Sequence, residues 1–284
     1  MCIRDRVLKS EPESISAKSN LAQALAEMGQ MDGAEQLFRE VLAERPEASA
    51  TLERFDQLMN KLGRPDETIR FVRDAVAAEP NNSLLRFGLA QLLIRRGREA
   101  EAVQELRQAV AVQPALYPAH NVLGVCLRRQ GDLAGARAAW EQALEANPKF
   151  LDAYVSLAAL ARQEHDLKAG EAVLRRGLEQ LPDAHVLANS LAWMLATTPD
   201  SAQRNGPEAV QWARKACELT KDSGHPYLDT LAAAYAAAGQ FAEAIESERR
   251  AIALAAKAGA TASVEEYSRR LALYEAGQAY QESP

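Results

Sequence analysis

Apolar residues along this chain recur at three- and four-residue spacings, the period of a helix with one buried face, and they come in paired segments divided by a short polar break. Over residues 117–150 the apolar set is Leu123, Leu127, Leu133, Ala136, Trp140, Ala143 and Leu144, and the break falls at Gly131 and Asp132. The pattern predicts two helices. Gly131 suits the positive φ at which a first helix stops, Asp132 can cap a second, and Pro148 closes the segment because proline cannot continue a helix. Small residues at Gly124 and Ala136 let the pair approach closely, and Trp140 fills the space beside them.

The same pattern returns at a fixed step of 34 residues, marked by Pro12, Pro46, Pro80, Pro114, Pro148 and Pro182, by Gly29, Gly63, Gly97 and Gly131, and by Ala34, Thr68, Ala102, Ala136 and Gly170. Three markers in phase predict a repeat array. Five regular units occupy residues 15–184 without insertion. Two further units fill 185–258; the first has a turn lengthened from Pro199 to Gly206 before its second helix restarts at Pro207, a favoured first-turn residue. Residues 259–284 contain a last amphipathic helix, about Ala262 to Ala276, with Val264, Tyr267, Leu271 and Tyr274 on one face, expected to cap the final open surface. Residues 7–14 fit the end of a truncated preceding repeat. Residues 1–6 fit no repeat, look like translated adaptor sequence, and are expected to be a non-native leader.

These residues and offsets resemble the tetratricopeptide repeat. The resemblance implies an all-α fold, a right-handed superhelical α-solenoid of antiparallel helix pairs with a C-terminal capping helix. A stack of this kind shares one continuous core, so a single elongated body is expected. The stretches from Asn189 to Asp200, Arg204-Asn-Gly, Ala216 to Thr220, Leu228 to Tyr235 and Arg270 to Tyr280 resemble the closing repeats of large bacterial tetratricopeptide proteins. In that group such repeats often end a longer chain, preceded by membrane-spanning parts resembling glycosyltransferases or by multihaem cytochromes. The alternative this implies is a regulatory or positioning module of such an enzyme.

A net charge of -6 disfavours a general nucleic-acid binder, which needs a dense field of Lys and Arg. No apolar run approaches the ~20 residues of a membrane helix. Cys2, Cys126 and Cys217 are too dispersed for a disulfide framework, and His120, His165, His185 and His225 lack metal-ligand spacing. The phosphate-cradling and nucleophile-elbow signatures are missing, so no enzymatic activity, metal or cofactor is expected. The compartment and the oligomeric state are left open.

In the family the first helix of each unit lines a concave groove. That geometry assigns Lys61, Gln91, Arg95, Asn121, Arg128, Arg129, Arg162, Asn189 and Trp193 to a partner-binding face. The basic row among them suits a protein or peptide partner of acidic character, through steering and bidentate arginine contacts. Cations at helix C-termini are also favoured by the helix dipole alone. Trp193 is the sharpest candidate, as a hot-spot residue type, with packing beneath the lengthened turn of its own unit as the other reading. The family's clamp for chaperone C-termini is absent in this register, where Ser19, Gln23, Arg54, Leu84 and Gly88 stand. The sequence thus points to a protein interaction scaffold that binds peptide-like segments, probed by what its groove presents.

Overall fold

The structure, a computed structural model, describes residues 15–45, 47–200 and 204–282; the expected leader and repeat remnant lie outside them. Fifteen α-helices follow one another among these residues, joined by turns and short connections with no strand. The chain divides into two compact units, Met1–Gln142 and Ala143–Pro284.

The first unit holds α1 (Ile15–Glu27), α2 (Met31–Glu44), α3 (Ser49–Lys61), α4 (Asp66–Ala78), α5 (Ser83–Arg95), α6 (Glu99–Val112) and α7 (Tyr117–Arg129), with α8 (Leu133–Ala146) running across the division. The second holds α9 (Leu151–Gln163), α10 (Leu167–Gln180), α11 (His185–Thr197), α12 (Gly206–Leu219), α13 (His225–Ala237), α14 (Phe241–Lys257) and α15 (Thr261–Glu275). The last is the expected final helix.

The turn positions read from the sequence behave as their residues require. Gly29, Gly63, Gly97, Gly131 and Gly239 take φ between +71 and +84, and His165, which stands where the fifth unit would carry glycine, takes φ +56. A non-glycine residue there is a small local strain that short polar side chains tolerate best. Asp132 accepts from the Gly135 N–H at 2.8 Å and Asp166 from the Ala169 N–H at 3.0 Å, so both cap the helices that follow.

The periodic small residues are set by packing. In the first unit Phe38, Phe55, Met59, Leu85, Leu89 and Leu92 are fully buried, and Ala34, Ala102 and Ala136 lie among such side chains with no exposed surface. A Cβ on Gly124 would stand 2.6 Å from the Trp140 indole Nε1, so glycine makes the room that Trp140 fills. The indole N–H donates to the Asn121 carbonyl at 3.3 Å. Each of three successive units also closes its connection with one side chain bonded to the carbonyl of its closing proline: Arg86 to Pro80 at 2.8 Å, His120 to Pro114 at 3.0 Å and Tyr154 to Pro148 at 3.0 Å.

In the second unit the lengthened connection ends in a close approach. Asn205 accepts from the Glu208 N–H at 3.3 Å to cap α12. An added Cβ on Gly206 would stand 2.5 Å from the carbonyl of Ala237 and the nitrogen of Ala238, which are backbone atoms that cannot rotate away. Gly206→Ala is therefore expected to destabilise the protein by about 3 kcal/mol, in the upper range for overpacking. Gly33→Ala, whose added Cβ would meet Leu25 at an ordinary 3.5 Å, is expected to be neutral or stabilising. Urea unfolding midpoints of the two variants check this, and a neutral Gly206→Ala would refute the tight seat.

Candidate functional site

The residues expected to face a partner fall in both units. In the first, Lys61 ends α3, Gln91 and Arg95 lie on α5, and Asn121, Arg128 and Arg129 lie on α7. Much of this cationic row is answered by the chain's own carboxylates. Arg95 Nε stands 3.5 Å from Asp56, and its neighbour Arg96 reaches Asp56 at 2.7 Å, Asn60 at 3.0 Å and the Pro65 carbonyl at 3.0 Å. Arg129 pairs with Glu99 at 2.8 Å. Asp56 is buried, and Arg96 ties α5 back to α3, so this part of the row has a structural use the register alone did not reveal. Lys61 and Arg128 are exposed, Gln91 is half-buried, and the Asn121 side-chain oxygen is buried with no hydrogen-bond partner among the described residues.

In the second unit Arg162, Asn189 and Trp193 come together. They line one cavity of 410 Å³ bounded by α9, α10, α11, α13 and α15, with Val155, Thr230, Arg270 and Glu282 also among its walls. Asn189 Oδ1 is buried there with no hydrogen-bond partner among the described residues. The Trp193 ring faces the Arg270 guanidinium at 4.7 Å and the Tyr280 ring at 5.8 Å, and its N–H donates to Glu282 at 3.1 Å.

Arg270 is the centre of this arrangement. Its guanidinium lies 4.7 Å from the Trp193 ring, 4.7 Å from Tyr280 and 5.7 Å from Tyr267, a box of aromatic faces that attracts a cation through their quadrupoles. One terminal nitrogen donates to both Asp229 oxygens, at 2.6 and 2.7 Å, and the other to Glu266. Beside Asp229 lies Glu248, fully buried, whose carboxyl group hydrogen-bonds the Asp229 carboxylate. Burial, with the Asp229 charge adding to it, pushes the Glu248 carboxyl up to about 10, so it carries its proton at neutral pH. Burial also raises Asp229, to about 6, against the opposing pull of Arg270. The group is thus a buried ion pair with a neutral acid beneath it, holding a cation at the groove wall.

Two further pairs bind this row of helices together. His185 meets the Tyr227 hydroxyl at 2.8 Å, and His225 meets the Tyr267 hydroxyl at 2.9 Å. The first joins the opening residue of α11 to the third residue of α13, and the second joins the opening residue of α13 to the seventh residue of α15, so the three helices are tied edge to edge. These histidines are structural ties along the row. Among the described residues no group of three or more His, Cys, Asp or Glu could hold a metal, and no helix is long and apolar enough to cross a membrane. Cys126 and Cys217 are buried, and burial pushes the Cys217 thiol up to about 12.

Paired helices on a 34-residue step, with a side-chain groove on the first helix of each pair, define a helical repeat protein. The tetratricopeptide repeat model matches residues 5–58 and 59–120, and a second model of the same repeat matches 117–150. The chain belongs to the tetratricopeptide repeat family, and its fold is the all-α solenoid of that family. Solved structures agree on the fold. The C-terminal part of a TPR repeat-containing protein from Cytophaga hutchinsonii is 15% identical, with a TM-score of 0.59, covering 83% of this chain and 95% of that one. MamA from Desulfovibrio magneticus RS-1, from residue 41 to its end, is 17% identical, with a TM-score of 0.51 over 62% of this chain and 96% of that one. YrrB, described as a TPR protein with an unusual peptide-binding site, is 16% identical, with a TM-score of 0.52 over 64% of this chain and 91% of that one. No curated protein matches the chain.

Proposed function

We propose that this protein is an interaction scaffold that takes an extended, peptide-like segment of a partner protein in the groove of its second unit. The observation that carries the reading is the meeting of Arg162, Asn189 and Trp193 on one cavity. A cation, an amide whose acceptor has no partner among the described residues, and a half-buried indole are what an extended chain needs: a counter-charge, a bond for a backbone N–H, and an apolar seat. YrrB, described as having a peptide-binding site, lends the reading support at the level of the fold. The first-unit residues Lys61, Gln91, Asn121 and Arg128 are proposed as a separate cationic face that attracts acidic segments, with Arg95 and Arg129 contributing less because Asp56 and Glu99 already answer them.

The test is binding of a labelled library of acidic peptides, measured by fluorescence anisotropy. Trp193→Ala and Arg162→Glu are each expected to weaken the bound members by about tenfold or more, as loss of a hot-spot contact does. Lys61→Glu with Arg128→Glu is expected to act mainly on association rate and its salt dependence. Affinities untouched by Trp193→Ala would remove the groove from the account.

A further inference from the structure

After α15 the chain turns at Gly277, where φ is +70, and runs without helix through residue 282. It comes back onto α11. The Glu282 N–H donates to the Thr197 carbonyl at 2.9 Å, its carboxylate accepts from the Trp193 indole N–H at 3.1 Å, and the same oxygen stands 4.0 Å from Arg162. Two positions earlier, the Tyr280 ring covers the Arg270 guanidinium at 4.7 Å and tilts against Trp193 at 5.8 Å. Between them the Gln281 side-chain oxygen, oriented as the hydrogen-bond network requires, accepts from both terminal nitrogens of Arg204 at 3.2 Å.

These are the contacts of a bound ligand: one main-chain hydrogen bond to the groove wall, an aromatic ring seated on a cation and an indole, and a carboxylate on an N–H donor beside an arginine. A cap for the last helix pair would not need them, because α15 already covers that face with Tyr267 and Tyr274, both buried. The segment also leaves the groove partly open. The 410 Å³ cavity runs on past Glu282 to Val155 and Asn189, which an incoming chain could use and the segment does not.

We propose that residues 280–282 are a built-in occupant of a peptide subsite on α11, and that the partner which displaces them is an extended segment of another protein with the same chemistry: an aromatic residue followed two positions later by Asp or Glu. This rests on the groove reading above and adds to it the partner's chemistry and an internal competitor. A tethered segment competes at an effective concentration on the order of millimolar, so an isolated peptide of the same chemistry binds more tightly once the tethered one is weakened.

The experiment uses the full chain and a fluorescein-labelled peptide of residues 278–283, Gln-Ala-Tyr-Gln-Glu-Ser. The Tyr280→Ser, Glu282→Gln double variant is expected to bind this peptide at least about tenfold more tightly than the unaltered chain, and addition of Trp193→Ala is expected to remove that binding. Independently, Glu282→Gln alone should move one indole N–H resonance among those of the three tryptophans, the one lost in Trp193→Phe. Equal affinity in the unaltered and doubly altered chains, or an unmoved Trp193 resonance, overturns the proposal. So does a concentration-dependent dimer of the unaltered chain that the double variant abolishes, because the segment would then seat in a second copy. Acidic peptides without an aromatic residue that bind both forms equally and are lost with Trp193→Ala would sink this inference and leave the groove reading standing; no binding by any peptide to any form would sink both.

Discussion

Arg270→Met is expected to destabilise the second unit by about 3–5 kcal/mol, the range for breaking a buried ion pair from one side. The side chains of Arg270 and Asp229 are only 7% and 8% exposed, so solvent cannot replace the lost partner. Methionine keeps most of the apolar stem while removing the charge, which leaves Asp229 beside Glu248 with no counter-ion. The diagnostic comparison is with Arg270→Met combined with Asp229→Asn, which removes both charges and should recover a large part of the loss. Urea unfolding followed by circular dichroism measures all three chains. A single variant within about 1 kcal/mol of the unaltered protein, the level of an exposed pair, would show that Arg270 is solvated in solution.

Glu248→Gln should stabilise the protein, and by an amount that grows with pH. Glu248 is raised in the folded chain from an ordinary 4.5 to about 10, so between those limits the folded state holds a proton that the unfolded state has released. Stability then falls as pH rises through that window, by up to about 1.4 kcal/mol per pH unit for one such group. Below the lower limit both states are protonated and the penalty vanishes. Asp229, raised from 3.8 to about 6, adds a slope of the same sign over its narrower window. Glutamine has the shape of the protonated acid and does not titrate, so the gap in melting temperature between variant and parent should be small near pH 5 and clear at pH 8. A gap that does not change with pH would mean that Glu248 is ionised in the folded chain.

The repeat was legible in the sequence because its markers answer to backbone and packing requirements that recur. A turn that needs positive φ selects Gly63, Gly97 and Gly131, and a tight helix pair selects Ala102 and Ala136. Arg162, Asn189 and Trp193 were placed on one face by the groove geometry that the family resemblance implies, and the three line one cavity. The rest of the site was not legible, because Arg270, Tyr280 and Glu282 come from the last helix and the segment after it, where no repeat sets the register. A signal was nonetheless present. Asp229 sits on a buried stripe with Ala232, Ala233 and Ala236, and Arg270 lies between Tyr267 and Tyr274 at helical spacing. Opposite charges, each placed on an apolar stripe of neighbouring helices, mark a buried pair. The same groove geometry gives direction along a helix and says nothing of a carboxylate such as Asp56 on the helix beside it, which stands against Arg95 and Arg96.

The bond from Arg86, His120 or Tyr154 to the proline carbonyl six residues earlier has a consequence for how such a chain can change. Guanidinium, imidazole and phenol share no shape and no common charge, yet each brings a donor to the same carbonyl. What the fold requires at that position is a donor within reach, and several residue types meet that requirement. A copied unit can therefore drift widely in letters there while its geometry is inherited intact, which frees neighbouring copies to become dissimilar on the faces that meet other molecules.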